Sequence, residues 1–175
     1  MRVATVVLTW LPSRQESARP VRGADQGAPK ALLGWLWSGC HTRAMTLPRP
    51  AVQQCPCGSG GTYGRCCGLL HDGAPATTAG ALMRARYCAF ATGRLDYVFA
   101  TWHPATRPVD LAPAPEVRWV GLEVLKTVDG RVDQDTGTVE FRARFLASGR
   151  SQVMHETSRF QRRAGRWVYV DADIA

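Results

Sequence analysis

The stretch CPCGSGGTYGRCCG (55–68) carries four thiols, Cys55, Cys57, Cys66 and Cys67, as a C-x-C pair followed by an adjacent C-C pair. Four thiolates are the donor set of a closed, tetrahedral, structural Zn2+ site with metal–sulfur distances of about 2.3 Å; a catalytic zinc keeps an open position and recruits His or carboxylate. To bring four sulfurs onto one ion the chain must fold back. The intervening segment holds Gly58, Gly60, Gly61 and Gly64, residues free to take positive φ. Pro56 stiffens the first pair, and Tyr63 is the one bulky side chain at hand to cover the metal. Disulfides fit poorly, because C-x-C is too short for a relaxed bridge and a vicinal bridge strains the peptide between its sulfurs. Redox chemistry is the competing reading, although its usual signature is C-x-x-C at a helix start. Cys40 and Cys88 are read as lying outside the ligand set. Thr62, Tyr63 and Arg65 surround the expected ion without ligating it, and form the candidate surface for docking a protein partner.

A second group of residues could hold a small molecule or move a proton. Helical spacing from Ala79 puts Ala79, Leu82, Met83, Arg86, Tyr87 and Phe90 on one stripe, with Arg84 pointing away. An arginine on a core stripe needs a carboxylate or carbonyls, because a buried unpaired charge is costly. Alternation places Met154, Glu156, Ser158 and Phe160 on one strand face, and Trp167, Tyr169 and Asp171 on another. An interior pair of Arg86 with Glu156 or Asp171 is therefore expected. The candidate pocket is Arg86, Tyr87, Trp102, His103, Glu156, Ser158, Tyr169 and Asp171. His103, in TWHP, could act as a base near neutral pH, with Glu156, Asp171 or Tyr97 in acid–base roles. A histidine before proline at a helix end also serves as an ordinary cap. No Ser-His-Asp spacing, phosphate loop or dinucleotide fingerprint accompanies these residues.

The elements that must position both groups are legible. Thr77 or Thr78 can cap a helix over Ala79–Thr92 that Gly93 stops, and a second helix spans Leu95–Trp102. Strand-like runs follow at Arg118–Thr127, Thr136–Leu146, Gln152–Arg162 and Arg166–Val170. Asp129-Gly130, Ser148-Gly149 and Ala164-Gly165 separate them as turns, which predicts an antiparallel meander. Helices first and a curved antiparallel sheet after make an α+β fold, with a sheet wrapped on the long helix and a pocket at its open end.

At 175 residues the chain suits one domain with a small appendage. Residues 1–44 carry six basic and two acidic groups, are broken by Pro and Gly, and show no sustained periodicity. They read as a disordered extension or an over-called start before Met45. The remaining residues carry 16 basic and 12 acidic groups, so half of the net charge of +8 is spread thinly over the domain. That spacing argues against a phosphate footprint and against nucleic acid as partner. No run is long enough to span a membrane, and VATVVLTWL lacks a following A-x-A site, so a cytoplasmic, reducing location is expected.

CPCGSGGTYGRCCG resembles the SEC-C motif, a zinc-binding sequence named after the tail of the preprotein translocase motor. The segment HDGAPATTAGALMRARYCAFATGRLDYVFATWHPATRP is similar to the YchJ-like (UPF0225) family, as are VEFRARF (139–145) and HETSRFQRRAGRWVYVDA (155–172). The resemblance covers residues 53–173 and implies a SEC-C knuckle (53–70) followed by an NTF2-like cone (77–173), with no biochemical activity attached to the family. It departs from the translocase tail in carrying one cation, Arg65, where that tail is lysine-rich. Three functions are weighed in order: a zinc-binding docking or adaptor module whose cone either supports the knuckle or binds a small ligand; a small-molecule enzyme of the isomerase, cyclase or hydrolase kind; and a nucleic-acid-associated protein using Arg65, Arg84 and the RRAGR turn. The knuckle and the cone are expected to be separable modules.

Overall fold

The computed structural model describes residues 53–109 and 111–175; the expectation for residues 1–44 lies outside them. After a 3-10 turn over Tyr63–Arg65 come α1 (Cys67–His71), α2 (Ala79–Thr92) and α3 (Leu95–Ala100). Four strands follow: β1 (Val117–Asp129), β2 (Thr136–Ala147), β3 (Arg150–Arg163) and β4 (Arg166–Ile174).

The caps of α2 are those the sequence specifies. Thr78 Oγ1 accepts from the Ala81 amide at 3.1 Å, satisfying a first-turn donor, and Gly93 closes the helix in the left-handed region at φ 73°. The sheet is an antiparallel meander in the order β1-β2-β3-β4. Ser148-Gly149 and Ala164-Gly165 take positive φ at both positions, the two-residue turn whose twist matches the strands it joins.

The concave face of the sheet buries Val139, Phe141, Ala143, Phe160, Trp167 and Tyr169 against α2. Eight of the fourteen residues of α2 are buried, on more than one face. Leu82, Met83 and Tyr87 belong to the core shared with the sheet, while Ala85 and Cys88 cluster with Cys55, Cys57 and Cys67. The helix is clamped between sheet and knuckle, so the two modules share a buried helix. Small residues at 81, 85, 88 and 89 were the available signal, since they let backbones approach.

The start of α2 is pinned where the Ala79 amide donates to the carbonyl oxygen of Gly130, a residue at φ 75°, at 2.9 Å. A Cβ on Gly130 would sit 2.5 Å from Ala79 Cβ and 3.4 Å from Gly137 Cα. Gly130→Ala therefore combines strain with a clash, and a loss of about 2–3 kcal/mol is expected in urea unfolding. A change below about 0.5 kcal/mol would mean that this junction yields easily.

Candidate metal centre and interior cavity

Cys55, Cys57, Cys66 and Cys67 converge, with all four sulfurs within 4.8 Å of one another. The chain folds back as the sequence requires. The Cys55 amide donates to Gly61 O at 2.9 Å, and Gly58 and Gly60 adopt φ of 73° and 79°. Cys57 Sγ lies 3.6 Å from Cys66 Sγ, and Cys66 Sγ lies 3.9 Å from Cys67 Sγ. A tetrahedron of sulfurs about 2.3 Å from a central ion has edges of about 3.8 Å, so the residues fit a four-thiolate ion. The thiols are inequivalent. The neighbouring Cys67 thiol draws the Cys57 pKa down, whereas burial pushes that of Cys55 up. Metal binding at such a set releases protons from the thiols.

Cys88 stands beside this set, its sulfur 3.8 Å from that of Cys55, and packs against it from α2. Arg84, which helical spacing points away from the core stripe, donates from Nη1 to Cys57 O at 2.9 Å and braces the knuckle. Tyr63 does not offer a free docking face. Its hydroxyl meets His71 Nδ1 at 2.9 Å, and the ring packs edge-on against the His71 ring. His71 Nε2 donates to Ala85 O at 2.9 Å, so the Tyr63 hydroxyl donates to Nδ1. His71, 7% exposed and four residues after Cys67, bolts the cysteine knuckle to α2. Sequence reasoning missed it; its spacing on the CCGLLH turn was the only signal. Thr62 is half-buried, and Arg65 is exposed as expected.

Inside the cone, Arg86 is buried as the helical stripe predicts, but it forms an ion pair with neither candidate carboxylate. Its Nη1 donates to Val98 O at 2.7 Å and to Thr101 Oγ1 at 3.0 Å, and its guanidinium lies 4.4 Å from the Tyr169 ring centre and 5.0 Å from that of Trp102. Burial lowers its pKa from 12.5 to about 10, which leaves it charged at neutral pH. Glu156 is also buried and accepts from Ser158 Oγ at 2.6 Å. Burial raises its pKa, against the hydrogen bond from Ser158 and the charge of Arg86.

Asp171 is a correction. Arg159 pairs with Asp171 while the next residue, Phe160, pairs with Tyr169, so Val170 is an extra residue on β4. That bulge turns Asp171 to the outer face, where it hydrogen-bonds Arg159. His103 is a second correction. Its amide donates to Tyr169 O at 2.7 Å and its Nδ1 accepts from the Ala105 amide at 3.2 Å, so it acts as a local cap outside the cavity. Tyr97 packs on His71, ring centres 4.6 Å apart, and burial pushes its hydroxyl up to about 12.

Arg86, Tyr87, Trp102, Glu156, Ser158 and Tyr169 do come together, around a cavity of about 40 Å³. Trp102 is 3% exposed, and its indole Nε1–H is a buried donor without a partner among the described residues. A larger chamber of about 530 Å³ adjoins this one; Phe90, Trp119 and Met154 line both. Trp119 and the segment 111–117 were absent from the sequence reading because irregular chain carries no periodicity.

A curved antiparallel sheet on a long helix, with a thiolate knuckle packed behind that helix, defines an NTF2-like domain preceded by a SEC-C motif. Residues 78–172 match the family described as the YchJ middle NTF2-like domain, and residues 53–69 match the SEC-C motif. A UPF0225 protein of Streptomyces coelicolor is 52% identical over 129 residues, covering 73% of this chain and 98% of that relative. A UPF0225 protein of Chromobacterium violaceum is 48% identical over 136 residues, 75% of this chain and 100% of the relative. The chain belongs to the UPF0225, YchJ-like family. Its fold is similar to a SEC-C motif containing protein from Rhodopseudomonas palustris solved in solution, with TM-score 0.63 and 37% identity over 70% of this chain and 99% of that one. A second, from a crystal structure of a Psychrobacter arcticus protein, gives TM-score 0.59 and 30% identity over 71% and 84% of the respective chains. Among the described residues no helix is long and apolar enough to cross a membrane.

Proposed function

We propose that this chain is a zinc-stapled receptor: Zn2+ on Cys55, Cys57, Cys66 and Cys67 holds the knuckle against α2, and the cone on the other side of α2 takes a small molecule. A closed set of four soft donors suits zinc and leaves no open position for catalysis on the metal. A reducing compartment such as the cytoplasm keeps these thiols available. The observation that carries the receptor reading is inside the cone. Arg86 and Glu156 are both buried at one small cavity without direct pairing, and this cavity adjoins a chamber within the usual ligand range of about 300–1,000 Å³.

The test is ligand-observed NMR on the full, zinc-loaded chain with a set of neutral, anionic and cationic fragments. Binders are expected, and filling the junction of the two cavities by Met154→Trp should remove them. Hits that persist in Met154→Trp, or a set without binders, would overturn the reading. A receptor returns its ligand unchanged; conversion of a bound fragment would instead assign an enzyme with Glu156 as proton carrier.

The docking reading retains one supporting observation: Leu69 is 54% exposed on α1, beside exposed Arg65. Arg65→Ala with Leu69→Ala should then weaken a protein partner without releasing zinc, read by pull-down and metal analysis together. Partner recovery equal to wild type would remove this surface from consideration.

A further inference from the structure

Resting on the zinc-staple reading, we propose that Cys88 is a reserve metal ligand: it takes over the fourth position from Cys66, so that the knuckle keeps its ion when that outer thiol is withdrawn. The knuckle thiols differ in their surroundings. Cys55, Cys57 and Cys67 are buried, whereas Cys66 is half-buried. Cys88, fully buried on α2, shares one cluster with those three thiols and Ala85, and Cys66 touches that cluster only from its rim. The Cys88 sulfur is 3.8 Å from that of Cys55 and lies close to that of Cys67. Cys66 meets the other edge, 3.6 Å from Cys57 Sγ and 3.9 Å from Cys67 Sγ. The buried triangle of Cys55, Cys57 and Cys67 thus has a further thiol on either side, Cys66 toward solvent and Cys88 toward α2.

Three thiolates fix three corners of a tetrahedron, and a soft donor on either side of their plane completes one. The 3.8 Å between Cys55 and Cys88 matches the edge of a tetrahedron with bonds of about 2.3 Å. At that bond length the centres of two tetrahedra sharing a face lie about 1.5 Å apart, so little movement separates the two arrangements. The exchange balances: the bond to the Cys66 sulfur breaks as one to the Cys88 sulfur forms. Cys88 gives up its proton and the released Cys66 thiolate takes one up, leaving the charge of the set unchanged. Ser59 Oγ, 3.2 Å from Cys66 Sγ, is placed to hydrogen-bond the released thiol. Packing against Ala85 and Cys55 asks only for a small apolar side chain, a part that a buried free cysteine can also play. A test must therefore separate a donor from a filler.

The full chain is compared as wild type, Cys66→Ser, Cys88→Ala and the double variant. Each is titrated with Zn2+ against a chromophoric chelator, and with Co2+ to count thiolates by sulfur-to-cobalt charge transfer. Cys88→Ala should bind zinc within about threefold of wild type, since the four-thiolate set remains, whereas loss of an outer-shell support costs about 10–100-fold. Cys66→Ser should weaken zinc by less than about tenfold and keep the charge-transfer intensity of four thiolates. The double variant should weaken zinc more than about 100-fold, beyond an outer-shell effect, and lose about a quarter of that intensity. This dependence of Cys88 on the state of Cys66 is what a filler would not show. Should the double variant fail to fold, the cobalt spectrum of Cys66→Ser decides alone, four thiolates supporting the proposal and three overturning it. Equal weakening in Cys66→Ser with and without Cys88 overturns the reserve ligand while leaving the zinc staple. A loss of 10-fold or more (~10) in Cys88→Ala alone overturns it too, assigning Cys88 to the outer shell. A wild type that binds neither metal overturns both readings.

Discussion

With the proposed zinc site in place, Cys57→Ser should release the metal and lower the stability of the whole described domain rather than of the knuckle alone. Cys57 is fully buried, and with Cys55 and Cys67 it packs on Ala85 and Cys88 of α2, the helix whose other face forms the cone core. Its carbonyl is also the acceptor for Arg84, and the knuckle is bolted a second time through Tyr63, His71 and Ala85 O. A serine hydroxyl keeps its proton at neutral pH and is a poor ligand, so the closed site loses a donor and the remaining thiols lose their organising cation. Metal binding in such sites is itself folding free energy. A loss of about 3–5 kcal/mol is expected, a fall of about 10–20 °C in Tm for a domain of this size. Metal analysis should show one zinc per wild-type chain and less than half that in the variant. Calorimetry should show a single transition, shifted. An unshifted main transition, with faster hydrogen exchange confined to residues 53–71, would show instead that α2 insulates the cone from the knuckle.

Where a local signal sets local structure, the sequence was sufficient. Thr78 and Gly93 bound α2 because both caps are side-chain or φ requirements of single residues, and the paired positive-φ turns set the register of β2, β3 and β4. The convergence of the four cysteines was legible for the same reason: their spacing requires the chain to fold back on itself. Positions decided by a partner far along the chain were not legible. Strict alternation along β4 put Asp171 inside, but the bulge at Val170 reverses the face, and nothing in RWVYVDA announces it. Likewise, Tyr63 looked like a free aromatic until His71 supplied its acceptor. The stripe on α2 correctly buried Arg86, yet periodicity names a face and not a partner. The guanidinium found a helix-end carbonyl, a hydroxyl and two aromatic rings instead of a carboxylate.

Arg86→Met should cost about 3 kcal/mol at neutral pH, and the cost should grow as pH rises. Two effects combine. The substitution removes two hydrogen bonds at the end of α3, one of them buried, and the cation between Trp102 and Tyr169, and it deprives Glu156 of the positive charge that opposes its burial. Glu156 binds its proton more tightly folded than unfolded, because desolvation dominates and raises its pKa above 4.5. The stability that this proton contributes is therefore complete below the unfolded value and is lost as pH rises through the higher folded value. Without Arg86 the folded value moves up again, so the variant continues to lose stability at pH values where wild type has levelled off. Glu156→Gln removes the titration and should restore part of the loss at pH 8 but little at pH 5. The double variant should then be more stable at pH 8 than the sum of single changes predicts, by about 1–2 kcal/mol. Urea unfolding of the four proteins at the two pH values measures this. Additive losses that do not change with pH would mean that Glu156 stays protonated throughout and that Arg86 serves only the end of α3. A coupling that disappears above pH 7, by contrast, would place the charge that Arg86 balances on some group other than Glu156.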